Sequence, residues 1–211
     1  MLRFAEEIIL LLLNDDDGKF VHVPNWSLDY ALAGGVLMDL ALENRIDTDL
    51  EKLILVDGTP VGDSLLDPTL AHIEAGDKRD IGFWLEHTAK RATDIRQEAL
   101  SRLVDRGILE CRDDRFLWVF QSRRYPTIDG RAEREVKLRI MEVLFSDMLP
   151  DPRDVVIICL VDACNIFAEL LSKQELDKAS DRIRQIRKLD LIGQATARAI
   201  RDIELLITAA I

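Results

Sequence analysis

The chain has 211 residues, enough for one sizeable core, and its 48% apolar and 32% charged composition with 10 Gly and 6 Pro excludes disordered, collagen-like and low-complexity classes. A formal net charge of −11 argues against nucleic acid as the main partner, because neutralising phosphates takes clustered Lys and Arg. Residues 90–139 run the other way, with 13 Lys/Arg against 9 Asp/Glu, so a locally basic face on an acidic protein is expected.

In chain order, Phe4 to Leu13 reads as a short buried helix with early acids that suit its dipole, stopped by the turn signal Asn14-Asp-Asp-Asp-Gly18. Lys19 to Val23 is a candidate short strand. Asn25 or Ser27 caps a helix running to about Asn44, and its Gly34-Gly35 pair, which costs about 1 kcal/mol per residue relative to Ala, implies close packing by another helix or chain. Ile46 to Leu55 looks extended or hairpin-like, and Asp57 to Asp63 is loop chemistry. Ser64–Glu74 and Asp80–Ala89 are short helices, followed by a longer one from about Ala92 to Arg106 that Gly107 ends. Ile108 to Phe120 reads as a β-hairpin turning at Arg112-Asp-Asp-Arg115, with Ser122 to Gly130 an exposed arginine-bearing loop. Helices over roughly 131–147, 153–171, 174–188 and 191–209 complete the chain. The fold class is mainly α: a single globular helical domain with small β-hairpins.

Catalysis has no visible carrier. The sequence lacks a strand-bounded G-x-G-x-x-G, a G-x-x-x-x-G-K-[ST], an H-E-x-x-H and a C-x-x-C, and its only histidines are His22, His72 and His87. Asp57, Asp63, Asp67 and His72 match no metal-ligand spacing, so neither a metal nor a cofactor is expected. Cys159 and Cys164 read as core thiols in an apolar helix, and with Cys111 as reduced cysteines of a cytosol-like compartment. The longest apolar runs fall short of the roughly 20 residues needed to cross a bilayer.

Two features rise above a plain helical domain. Trp26 opens the glycine-containing helix, and a basic helix with Arg91, Arg96 and Arg102 precedes Phe116-Leu-Trp-Val-Phe120. Aromatic rings at a lipid interface and guanidinium forks on phosphate oxygens together suit a lipid headgroup. The rival is a winged helix, in which Ala99 to Leu109 and the following hairpin form helix and wing; Asp94, Glu98 and Asp105 on that helix would repel phosphates.

Five segments in order are similar to the Golgi phosphoprotein 3-like (GPP34) family: Phe4–Leu13, Gly35-Val-Leu-Met-Asp-Leu-Ala-Leu-Glu-Asn-Arg-Ile46, Thr59-Pro-Val-Gly-Asp-Ser-Leu-Leu-Asp67, Leu103-Val-Asp-Arg-Gly-Ile-Leu109 and Tyr125-Pro126. The chain resembles a bacterial or otherwise divergent member, with one domain over residues 2–208. The resemblance implies a non-enzymatic, cytoplasmic protein, peripheral on the cytosolic face of a membrane. It further implies binding of phosphatidylinositol 4-phosphate, an adaptor role toward client membrane proteins, and a protruding hairpin serving membrane contact and self-association. The implied headgroup pocket takes a Trp at the start of the glycine-containing helix, a basic residue within that helix and two basic residues one turn apart before the Gly-Ile-Leu stretch. Trp26 and Arg96 match, Ala33 and Thr93 stand where the other two cations are implied, and Lys90, Arg91 and Arg102 are the nearby replacements. Trp118, Phe120, Arg123, Arg124 and Tyr125 are the expected membrane or oligomer hairpin. A protein–protein scaffold without lipid binding remains the third reading.

Overall fold

Helix α1 (Phe4–Leu12) organises the architecture, because every one of its residues is buried, including Glu6 and Glu7. A helix apolar on nearly all sides must lie inside the protein, and α1 packs against α2 (Asn25–Leu42), α5 (Ala92–Asp105), α6 (Arg131–Phe145) and α7 (Pro152–Ala163). Burying the six aliphatic side chains of Ile8–Leu13 contributes about 1.5–3 kcal/mol each. In this computed structural model the described residues are 1–14, 18–48, 52–77, 79–116, 120–128, 130–189, 196 and 198–203, with backbone alone at 112–116 and 120–124. Their class is mainly α, and nearly all the buried apolar residues form one connected core.

The remaining elements are β1 (Ile46–Thr48) and β2 (Leu53–Leu55), α3 (Asp67–Ala75), α4 (Ile81–Ala89), β3 (Arg112–Phe116) and β4 (Phe120–Arg124), α8 (Phe167–Leu170) and α9 (Lys173–Ile186), followed by helical residues 198–203. Among the described residues no helix is long and apolar enough to cross a membrane. The two glycines of α2 meet two different helices. A Cβ on Gly34 would stand 2.5 Å from Leu160 Cδ2 of α7, and one on Gly35 would stand 3.1 Å from Phe4 Cβ and 3.3 Å from the Ala5 nitrogen of α1.

Several expected elements take other bounds. Lys19–Val23 forms no strand; a single bridge joins Leu13 to Phe20. The helix read from Ser64 begins at Asp67, whose carboxylate accepts the N–H groups of Val61, Gly62 and Asp63 at 2.7–3.0 Å and so fixes the preceding loop. The helix read over 153–171 breaks after Ala163, because Asn165 takes the left-handed conformation at φ 55° and Ile166 donates back to Val161 O at 2.9 Å. Asn serves there in the capping role more often filled by Gly. The hairpin is shifted: Arg112–Arg115, read as its turn, is strand, pairing with Gln121–Arg124 in antiparallel register. That register continues the Leu109–Thr127 bridge, so pairing at the base overrides the Asp-Asp turn signal.

The buried acids are satisfied by a chain of arginines. Asp39, 1% exposed, accepts the Phe4 N–H at 2.8 Å and lies 3.5 Å from Arg153 and 3.8 Å from Arg3. Arg153 also reaches Glu7 at 3.2 Å, and Arg139 bridges Glu7 to Asp154. On the other side Arg102 joins Glu6 at 3.1 Å to Asp63, which Arg3 contacts at 2.8 Å. Burial is the largest influence on Asp63 and would raise it, but hydrogen bonds from Arg102, Arg3 and the Leu65 amide hold it below the usual carboxylate range.

Asp39 behaves oppositely. Burial pushes it up to about 6 against the pull of the Phe4 amide, Arg153 and Arg3. Between about pH 4 and 6 the native chain therefore holds a proton that the unfolded chain has released, so the contribution of Asp39 to stability is present below that window and lost as pH rises through it. Asp39→Asn keeps an acceptor for the Phe4 amide and removes this titration. From pH 4 to pH 7 the unfolding free energy from urea titration should move in the variant's favour relative to the parent, by up to about 3 kcal/mol at 1.36 kcal/mol per pH unit. A parent–variant difference that stays constant across the window would refute the assignment. A second expectation concerns the α1–α2 contact: Gly35→Val should lower unfolding stability by about 1–3 kcal/mol, and an unchanged midpoint would mean that α1 can retreat from α2.

Candidate anionic-ligand site

The first turns of α2 carry Trp26, Asp29 and Tyr30, all half-buried. Residues three or four apart lie on one helix face, so Trp26 stands one turn before Asp29 and Tyr30. From α5, Arg96 lies half-buried with its guanidinium carbon 4.1 Å from the centroid of the Phe20 ring. Burial draws Arg96 below the ordinary arginine value, and Tyr125 and Asp29 oppose that change. Burial likewise raises Asp29, with Arg96 opposing. Asp29 is outside ion-pair distance of Arg96, and among the described residues Arg96 forms neither a salt bridge nor a hydrogen bond. Its guanidinium donors are thus pre-positioned by stacking on Phe20 and are available to an anion.

The segment that holds Phe20 is itself pinned. Val21 N–H donates to Leu12 O at 2.7 Å, and Tyr125 N–H donates to Gly18 O at 2.9 Å. Gly18 sits at φ 64° with its Cβ direction closed by the Pro126 backbone, a conformation and a space that suit only glycine.

The other expected residues are placed differently. Arg102 lies six residues beyond Arg96, roughly 120° around α5 at 3.6 residues per turn, and is spent on Glu6 and Asp63; it is not at the site. Arg91 donates to Thr69 Oγ1 at 3.3 Å from the position before α5. Ala33 is fully buried in the core and Thr93 is exposed, so neither supplies the cation the resemblance implies at its position. Tyr125, expected on the membrane-contacting hairpin, is 6% exposed and belongs to the core at the hairpin's base; its backbone is held by Gly18, which withdraws the ring from any surface role. Phe120, Arg123 and Arg124 are on β4 with only their backbone described, and Trp118 lies outside the described residues. The acidic loop is structural: Asp57 accepts the Thr59 N–H and pairs with Arg45, while Asp63 and Asp67 serve the contacts given above. Phe20 and Asp29 were not anticipated. Phe20 had a usable signal, an isolated aromatic just past a Gly-Lys turn, whereas Asp29 looked like one more charge on a helix.

Comparison with known proteins places the chain in a family. The vacuolar protein sorting-associated protein 74 of Eremothecium gossypii is 26% identical over 212 residues, covering 84% of this chain and 63% of that protein. The protein of the same name from Schizosaccharomyces pombe is 28% identical over 221 residues, covering 90% of this chain and 65% of that protein. The chain thus spans just under two thirds of the length of these relatives. The family model of Golgi phosphoprotein 3 (GPP34) matches residues 4–203, nearly the whole chain, and the chain belongs to that family.

Proposed function

We propose that this chain is a non-enzymatic peripheral membrane protein that binds an anionic phospholipid headgroup at Arg96, with phosphatidylinositol 4-phosphate as the ligand the family resemblance implies. The observation that carries the reading is the half-buried guanidinium of Arg96, stacked on Phe20, with no ion-pair partner among the described residues. Most arginines of the network around α1 are committed to carboxylates. A cation kept half-buried without a carboxylate is set apart from that pattern, and a phosphate monoester can supply the missing acceptor. Trp26, one turn from Asp29, offers an aromatic ring of the kind that settles at a membrane interface. Asp29 beside Arg96 and the neutral Thr93 and Ala33 limit the positive potential, so binding is weak and salt-sensitive. On this reading the protein acts on the cytosolic face of a membrane, as an adaptor for client membrane proteins, with the 112–124 hairpin giving further contact with the membrane or with a second copy.

The nucleic-acid reading is disfavoured by charge. Asp94 and Glu98 lie on α5 itself, and Asp113 and Asp114 lie on β3 of the hairpin that would be its wing. A protein scaffold without lipid binding is favoured by one observation, the full burial of Ala33 where the resemblance implies a cation.

Co-sedimentation with neutral vesicles, generic anionic vesicles and vesicles containing phosphatidylinositol 4-phosphate distinguishes these readings. The parent chain should pellet selectively with the phosphoinositide, and Arg96→Ala should weaken that binding about tenfold or more, on 1.5–3 kcal/mol for a charge-assisted hydrogen bond. Equal pelleting on every anionic vesicle would reduce the site to a general electrostatic surface. Failure to pellet on any vesicle would overturn the lipid reading in favour of the scaffold.

A further inference from the structure

Away from Arg96, a second basic locus is built from other elements: the C-terminal ends of α7 and α9 and the helical residues 198–203. Arg187, immediately after α9, donates from Nη1 to Asp162 Oδ2 in the last turn of α7 at 3.1 Å. Arg198 and Arg201 are three apart on one helical turn, which sets them on the same face. The Arg201 Nη1 is buried and, among the described residues, donates to no acceptor. Leaving a buried, charged N–H group unsatisfied is costly, and such groups are few in native proteins.

The carboxylates nearby do not fill the need. Asp162 is engaged by Arg187, and Asp202 is exposed beside Arg201 on the same turn. Burial and then the field of Arg187 push Arg201 below the ordinary arginine value, with Arg198 adding to them and Asp162 and Asp202 opposing. Among the described residues three guanidiniums thus share one committed and one exposed carboxylate, leaving an excess of positive charge around a buried donor.

We propose that Arg187, Arg198 and Arg201 form a second anion site, separate from Arg96, that takes a phosphate group. A tetrahedral oxyanion has several acceptor oxygens and can meet the planar forks of more than one guanidinium at once, which a single carboxylate cannot do. The group arrives either as soluble phosphate or on a lipid headgroup.

Thermal unfolding of the full chain in sodium phosphate, against sodium chloride at matched ionic strength, tests the proposal. Phosphate well above its Kd should raise the Tm of the parent by a few degrees. Arg96→Ala, which removes the weaker site, should keep most of that rise, while Arg201→Gln should remove most of it and Arg198→Gln, at an exposed position that does not threaten folding, should reduce it. In chloride alone Arg201→Gln should be no less stable than the parent, since it removes a half-buried guanidinium with an unsatisfied N–H group. The vesicle assay then assigns the source: weaker pelleting of Arg201→Gln on phosphatidylinositol 4-phosphate marks a lipid headgroup, and unchanged pelleting marks soluble phosphate. The proposal fails if phosphate gives the parent no specific rise, if Arg201→Gln and Arg198→Gln both keep it, or if Arg96→Ala alone removes it.

Discussion

The fold depends on placing two adjacent glutamates, Glu6 and Glu7, inside the protein on its most apolar helix. Leaving a buried carboxylate unpaired costs about 3–5 kcal/mol, whereas a well-formed buried pair roughly breaks even. Helix α1 is therefore tolerated at the centre only because Arg102 arrives from α5, Arg139 from α6 and Arg153 from α7. Each of those helices also buries an apolar face against α1, so the ion pairs fix which side of each helix faces it. Asp39 extends the arrangement to α2 by accepting the first amide of α1, a donor that the helix itself cannot satisfy.

This constraint accounts for how an acidic chain distributes its arginines. The basic stretch over 90–139 suggested a positive surface, yet Arg102 and Arg139 point inward to Glu6, Glu7, Asp63 and Asp154. Much of the local excess is consumed by the core. Arg96 departs from this pattern in being half-buried against an aromatic ring and not against a carboxylate, and that difference, more than the local charge total, singles it out. A count of Lys and Arg along the sequence has no means of separating the two uses, because the partners of Arg102 and Arg139 are 15–132 residues away.

Legibility in the sequence followed the range of the interactions involved. Helix α1 was visible because an uninterrupted aliphatic run implies burial, and the Gly34-Gly35 pair implied the close packing that Leu160 and Phe4 provide. Gly107 marked the end of α5 through its left-handed conformation. Asn165 ends α7 by the same geometry and went unread, since Asn occupies helix interiors as well as caps. The hairpin was seen but misregistered: local turn chemistry favoured Asp113-Asp114, while the register continues the contact between Leu109 and Thr127. Of the site, Trp26 and Arg96 were legible as an aromatic opening the glycine-containing helix and a cation on a basic helix, and resemblance to the family joined them in one pocket. Tyr125 was misjudged because the nearby Trp118, Phe120, Arg123 and Arg124 suggested a surface.

The burial of Tyr125 changes how the hairpin relates to the Arg96 site. Its amide is held by Gly18, and two residues on from Gly18 the ring of Phe20 lies under Arg96. Gly18 admits no side chain because the backbone of Pro126 occupies its Cβ direction. One short strap, tied to α1 through the Val21 and Leu12 backbones, therefore supports the hairpin's base and the cation's stacking partner together. A peripheral protein that meets a bilayer at two places gains from both only when their separation is fixed in advance, because the second contact is then made without further ordering. On the lipid reading, the strap from Gly18 to Phe20 supplies that fixed separation. Tyr125, expected on the membrane surface, serves instead through its backbone to hold the hairpin in place relative to Arg96.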